Sequence, residues 1–78
     1  METIRGNVVK FDRRSKALVV KTAAGAEETF ALDGNTVGDT PNGVADELKF
    51  EFRKDADVWV TASGQPGSRT ALLIVPVI

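Results

Sequence analysis

From Thr3 to Asp12 the apolar residues are Ile4, Val8, Val9 and Phe11. On an extended chain Ile4, Gly6 and Val8 share one face, and Val9 and Phe11 share the other. A regular strand keeps its buried residues on one side, so this pattern predicts a bulge or sharp bend between Gly6 and Val9. A long, bent first strand serving two sheets is how small closed barrels begin.

The polar stretch Asp12–Lys16 follows as a turn without Gly. Ala17–Thr22 reads as a second strand, with Leu18 and Val20 inward and Val19 and Lys21 outward. Gly25 marks a tight turn, and Glu27–Leu32 is a third strand with Glu28, Phe30 and Leu32 on one side. Glu28 is expected at the rim, where its charge reaches water. Asp33–Gly43, rich in Gly and short polar residues, reads as a long loop.

In Val44–Arg53 the residues Leu48, Phe50 and Phe52 alternate with Lys49, Glu51 and Arg53, which predicts a strand. A short helix capped by Asp46 is the alternative, but it leaves Phe50 off the buried stripe. After the turn Lys54–Asp57, Val58–Ser63 points Val58, Val60 and Ala62 inward and Trp59 and Thr61 outward. Gly64–Ser68 is another turn. Thr70–Ile78 is a nearly continuous apolar run, expected of a strand covered on both sides. Pro76 cannot donate to a ladder, so pairing should fail on at least one side there.

These elements predict one all-β domain over residues 1–78, a small five- or six-stranded barrel of the oligonucleotide-binding (OB) type, with an SH3-like barrel as the rival. The expected core is Ile4, Val8, Phe11, Leu18, Val20, Phe30, Leu32, Leu48, Phe50, Phe52, Val58, Val60, Leu73 and Val75. In an OB-type barrel the connection after the third strand usually carries a helix.

The layout also resembles a bacterial family of small exported or stand-alone β-barrel domains with no assigned function. The matching residues are Gly6, Val8, Phe11 and Asp12, then Leu18–Thr22, Gly25, Phe30–Asp33, Thr36, Lys54–Val60 and Ala71–Ile74. That family's turn before Val58 typically holds a Gly, which Asp55-Ala56 replaces here. The resemblance spans nearly the whole chain, but through turn and core positions, so it implies a fold and no catalytic residues. Ribosome-associated and cold-shock barrels are more distantly similar, and the exposed aromatic strand motifs of cold-shock proteins are missing.

The chain has no Cys and no His. Disulfides, thiolate or imidazole zinc sites and His-assisted nucleophiles are therefore excluded. No segment approaches the length of a membrane span. No cofactor is implied. Residues 1–20 do not read as a signal peptide, so the compartment stays open: cytoplasmic by default, exported if a leader was removed. A monomer is expected.

Charge is unevenly distributed. The net charge is −1, yet six of the ten basic residues fall within the first 21 positions. Arg5, Lys10, Arg13, Arg14, Lys16 and Lys21 outweigh Glu2 and Asp12 there by +4, and the rest of the chain carries −5. In OB-type barrels the loop joining the first two strands often grips a polynucleotide backbone, where Lys and Arg displace counterions. A solvated hairpin paired with acidic neighbours is the plainer reading. Trp59, outside the barrel, suits a base, a sugar or a partner's side chain; otherwise it packs under the Asp33–Gly43 loop or against Lys and Arg stems.

Asp33, Asn35, Gly38 and Asp39 resemble half a calcium loop, but Val37 and Val44 stand where oxygen ligands are needed, so an Asp/Asn/Gly turn is the better account. The carboxylates Glu27-Glu28 and Asp55/Asp57 show no sign of burial and read as exposed charge. The expected function is a non-catalytic binding or accessory module, with a protein of unknown identity or weakly bound nucleic acid as partner. Its expected contact surface is Arg5–Lys21 together with Trp59.

Overall fold

The break foreseen in the first strand is present. β1 (Glu2–Asp12) pairs with β2 (Ala17–Thr22), and the register slips between Val8 and Lys10. The extra residue, Val9, turns Phe11 back inward opposite Leu18. Gly6 lies in this bent strand. A Cβ there would sit 2.7 Å from the Lys21 carbonyl oxygen, so a side chain would force the two backbones apart.

The computed structural model describes residues 1–77, and these form seven strands and no helix. Beyond β1 and β2 they are β3 (Glu27–Ala31), β4 (Val37–Thr40), β5 (Gly43–Ala45), β6 (Asp57–Ser63) and β7 (Arg69–Pro76). The sheet order is β3-β2-β1-β6-β7-β4-β5, and a parallel pairing of β3 with β7 closes the first five into a barrel. β4 continues along β7 past β3, and β5 folds back on β4 as a hairpin outside the ring. The all-β barrel is thus as expected, with two more strands than its ring needs. No helix of the described residues is long and apolar enough to cross a membrane.

Four expectations need correction. The Asp33–Gly43 stretch is not only loop, because Val37–Thr40 forms β4. Residues 46–56 form neither strand nor helix. Glu47 and Leu48 both adopt left-handed backbone (φ 53 and 57), which ends any ladder, yet Phe50 and Phe52 still point into the core. No helix occupies the connection after β3. In β7 the buried apolar residues are Ala71 and Ile74 rather than Leu73 and Val75. The β6–β7 register slips where Thr61 pairs Leu73 and Ala62 pairs Ala71, so Leu72 is an extra residue that reverses the alternation.

β7 meets β3 at Arg69 and Thr70 and meets β4 at Leu73 and Ile74, which leaves a seam between. Thr36 closes it. Its fully buried hydroxyl donates to the Ala71 carbonyl at 2.8 Å and accepts from the Asp33 amide at 3.0 Å. The Asp33 carboxylate in turn accepts from the Asn35 amide at 2.8 Å. These bonds define the Asp/Asn/Gly turn that the sequence favoured over a cation loop. Among the described residues Pro76 has a ladder partner on β6 only.

β1, β3 and β7 run in one direction, so their first residues gather at one end of the barrel. There Arg69 is 7% exposed and donates to Glu2 at 2.6 Å and to Glu28 at 2.8 Å. Glu28 therefore meets a buried guanidinium rather than water alone. Towards the other end of β1, Phe11, Phe50 and Phe52 pack with centroids 5.6–6.2 Å apart in tilted and edge-on pairs. The barrel has one ionic and one aromatic stopper.

Candidate functional site

β1 and β6 are antiparallel neighbours, with Arg5 opposite Trp59 and Asn7 opposite Asp57. Alternation on β6 turns Val58 and Val60 inward, so Asp57 and Trp59 face out together with Arg5 and Asn7. Arg5 donates from Nε to Asp57 Oδ1 at 3.2 Å and from Nη2 to Oδ2 at 2.7 Å, a two-pronged ion pair. Its Cζ lies 5.5 Å from the centre of the Trp59 ring. Trp59 keeps 42% of its surface exposed beneath this guanidinium.

The hydrogen bonds from Arg5 hold the Asp57 carboxyl below its ordinary value; desolvation works against this, and the Arg5 charge adds to it. The Arg5 guanidinium is raised in return. The stability this pair adds is present above the ordinary Asp range and is lost as pH falls through the lowered folded-state value. At neutral pH the clamp is closed.

Beside the clamp lies an open depression of about 290 Å³ lined by Arg5, Gly6, Asn7, Lys21, Ala23 and Asp57. Lys21 is exposed and opposes Asn7 on the neighbouring strand. Arg5, Lys21 and Asp57 together leave this hollow one positive charge.

The six basic residues thus divide. Arg5 and Lys21 border the depression near Trp59. Arg13, Arg14 and Lys16 occupy the β1–β2 tip, and Lys10 lies on β1 just below it. Lys16 and Lys21, five residues apart, are separated by roughly 16 Å of strand. At the tip, Asp12 accepts from the backbone amides of Arg14 at 2.9 Å and Ser15 at 3.4 Å. The Arg14 amide is the largest influence lowering the Asp12 carboxyl, followed by the hydroxyl and amide of Ser15. Arg13 pairs with Glu51 at 3.1 Å, and Lys10 lies 3.8 Å from Asp12. Arg14 and Lys16 have no ion-pair partner among the described residues.

Asp57 and Asn7 belong to this site although their sequence context gave them no such role. The signal for Asp57 was its place two residues before Trp59, which puts both on one face of a strand. Among the described residues no three acidic side chains gather as metal ligands. No family model, no curated protein and no solved structure matches the chain.

Proposed function

We propose that this chain is a non-catalytic binding module on an OB-type barrel, with its contact surface on the outer face of β1 and β6. The strand order supports the barrel type. Three consecutive strands form a meander, the third lies parallel to the last strand of the ring, and the first pairs with β6. An SH3-type barrel would pair its first and last strands instead.

The observation that carries the reading is the half-open Trp59 ring under a clamped Arg5. An aromatic face and a guanidinium held in fixed geometry bind with little ordering cost, and such residues dominate binding energy where they occur. Linear peptides displayed on phage and selected on the wild-type domain are expected to lose about thirtyfold in affinity on Trp59→Ser, the loss typical of a hot spot. Selected peptides indifferent to both Trp59→Ser and Arg5→Ser would overturn the proposal.

Arg14 and Lys16, exposed and without an ion-pair partner among the described residues, favour a second reading, weak binding of single-stranded nucleic acid at the hairpin tip. Titration with an eight-residue oligothymidylate is then expected to shift the amides of Arg13, Arg14 and Lys16. Three phosphates neutralised would give a slope of about −2 for log affinity against log salt. Absent or salt-insensitive binding rejects this reading. The outer face of β2 and β3 presents Ala17, Val19, Lys21, Glu27, Thr29 and Ala31, with no aromatic to stack a base.

A further inference from the structure

The ladder on β1 is incomplete on one side. β2 pairs with β1 only from Gly6 onward, whereas β6 pairs with it from Glu2 to Asn7. Among the described residues, Glu2–Arg5 therefore have ladder partners on β6 alone.

The alternation of an antiparallel ladder shows which groups are left over. The amide and carbonyl of Val8 both bond to the segment leading into β6, at Ala56 and Asp55. Residues in step with Val8, namely Gly6, Ile4 and Glu2, turn theirs the same way. Thr3 turns its amide and carbonyl, and Arg5 its amide, to the free side, and both residues are exposed. That free edge begins where the depression lies, because Arg5, Gly6 and Lys21 border both.

Resting on the binding reading above, we infer that this edge takes an extended segment of a partner protein as an added strand, and that a carboxylate side chain of that segment seats between Lys21, Asn7 and Arg5. The hydrogen bonds come from Thr3 and Arg5, as in other strand-addition complexes. The charge of the occupant follows from the hollow. Asp57 already neutralises one of its two cations, so a single carboxylate brings the site to neutrality. A second copy of this chain is disfavoured there, since two-fold pairing of the edges would set one Arg5–Lys21 group beside another.

The test uses two capped hexapeptides of alternating Val and Thr, one with a central Glu and one with Gln in its place. The Glu peptide is expected to bind saturably and to slow hydrogen exchange at the Thr3 and Arg5 amides. Replacing Glu by Gln in the peptide, or Lys21→Gln in the domain, is expected to weaken it about threefold, the scale of an exposed ion pair. The two changes together should cost no more than either alone. Binding that perturbs Trp59 but leaves the Thr3 and Arg5 amides unprotected would overturn the added strand and spare the binding module. Absence of binding at millimolar peptide overturns the added strand as well, while the phage selection decides the module separately.

Discussion

Phe50→Ala is expected to lower the unfolding free energy by about 3–5 kcal/mol, the cost of emptying a buried aromatic site. A domain of this length is stabilised by only about 4–12 kcal/mol in total, so much of the margin goes with one ring. The reason lies in what Phe50 replaces. No helix closes this end of the barrel, and residues 46–56 contribute no ladder of their own. Phe50 and Phe52 anchor them against Phe11, with Phe50 only 4% exposed, and backbone bonds hold Asp55 and Ala56 to Val8. Gly38 on β4 packs so closely on the Phe50 ring that a Cβ would come within 2.6 Å of it. Removing the ring thus loosens β1, β4 and the connecting segment together. Urea unfolding followed by circular dichroism and by the fluorescence of the single Trp measures the loss. Phe50→Leu keeps most of the volume and should cost less than half as much. A loss below about 1 kcal/mol for the Ala variant would mean that the aromatic cluster does not close the barrel.

Arg69→Ala is expected to cost about 2–3 kcal/mol, through the opposite stopper. Its guanidinium is nearly fully buried between two carboxylates that retain 60% and 30% side-chain exposure. Deleting it leaves Glu28 partly buried and facing no cation, which is the expensive half of breaking such a pair. Glu2 is open enough to recover water, and the Nε of Arg69 is itself buried without a partner, so the figure falls short of that for a fully buried pair. A double-mutant cycle with Glu28→Gln separates the terms. Coupling of about 1–2 kcal/mol is expected, and coupling near zero would show that the two groups share geometry without energy. Arg69→Met should be milder than Ala, because its stem still fills the end of the barrel.

Arg69 also shows where sequence reading stopped short. After Asp57 it is the only charged residue in the chain, and it stands at the head of an apolar run. A lone charge beside Thr-Ala-Leu-Leu-Ile is a sign of a buried, paired guanidinium, but naming Glu2 and Glu28 as partners requires knowing that three parallel strands start together. The candidate surface was legible in part. Arg5, Lys21 and Trp59 were singled out from charge and alternation, and the fold brings these three to one face. Arg13, Arg14 and Lys16 went to the tip, because a hairpin puts its turn a full strand length from its base.

Alternation along the chain was sufficient for β1, β2, β3 and β6, for the bulge near Val9 and for most of the core. Period-two burial is a local property, readable wherever apolar and polar residues take turns. It fell silent where every residue was apolar, so the extra Leu72 in β7 and its reversal of inside and outside left no trace in the pattern. It also misled where two left-handed residues, Glu47 and Leu48, let phenylalanines reach the core without a ladder. Tertiary structure alone decided how the ring closes through β3 and β7, which carboxylates meet Arg69, and that β1 outruns β2 to leave Thr3 and Arg5 without a partner on β2. Those outcomes depend on register between strands distant in sequence, which is set by the packing of the whole barrel rather than by any neighbouring residue.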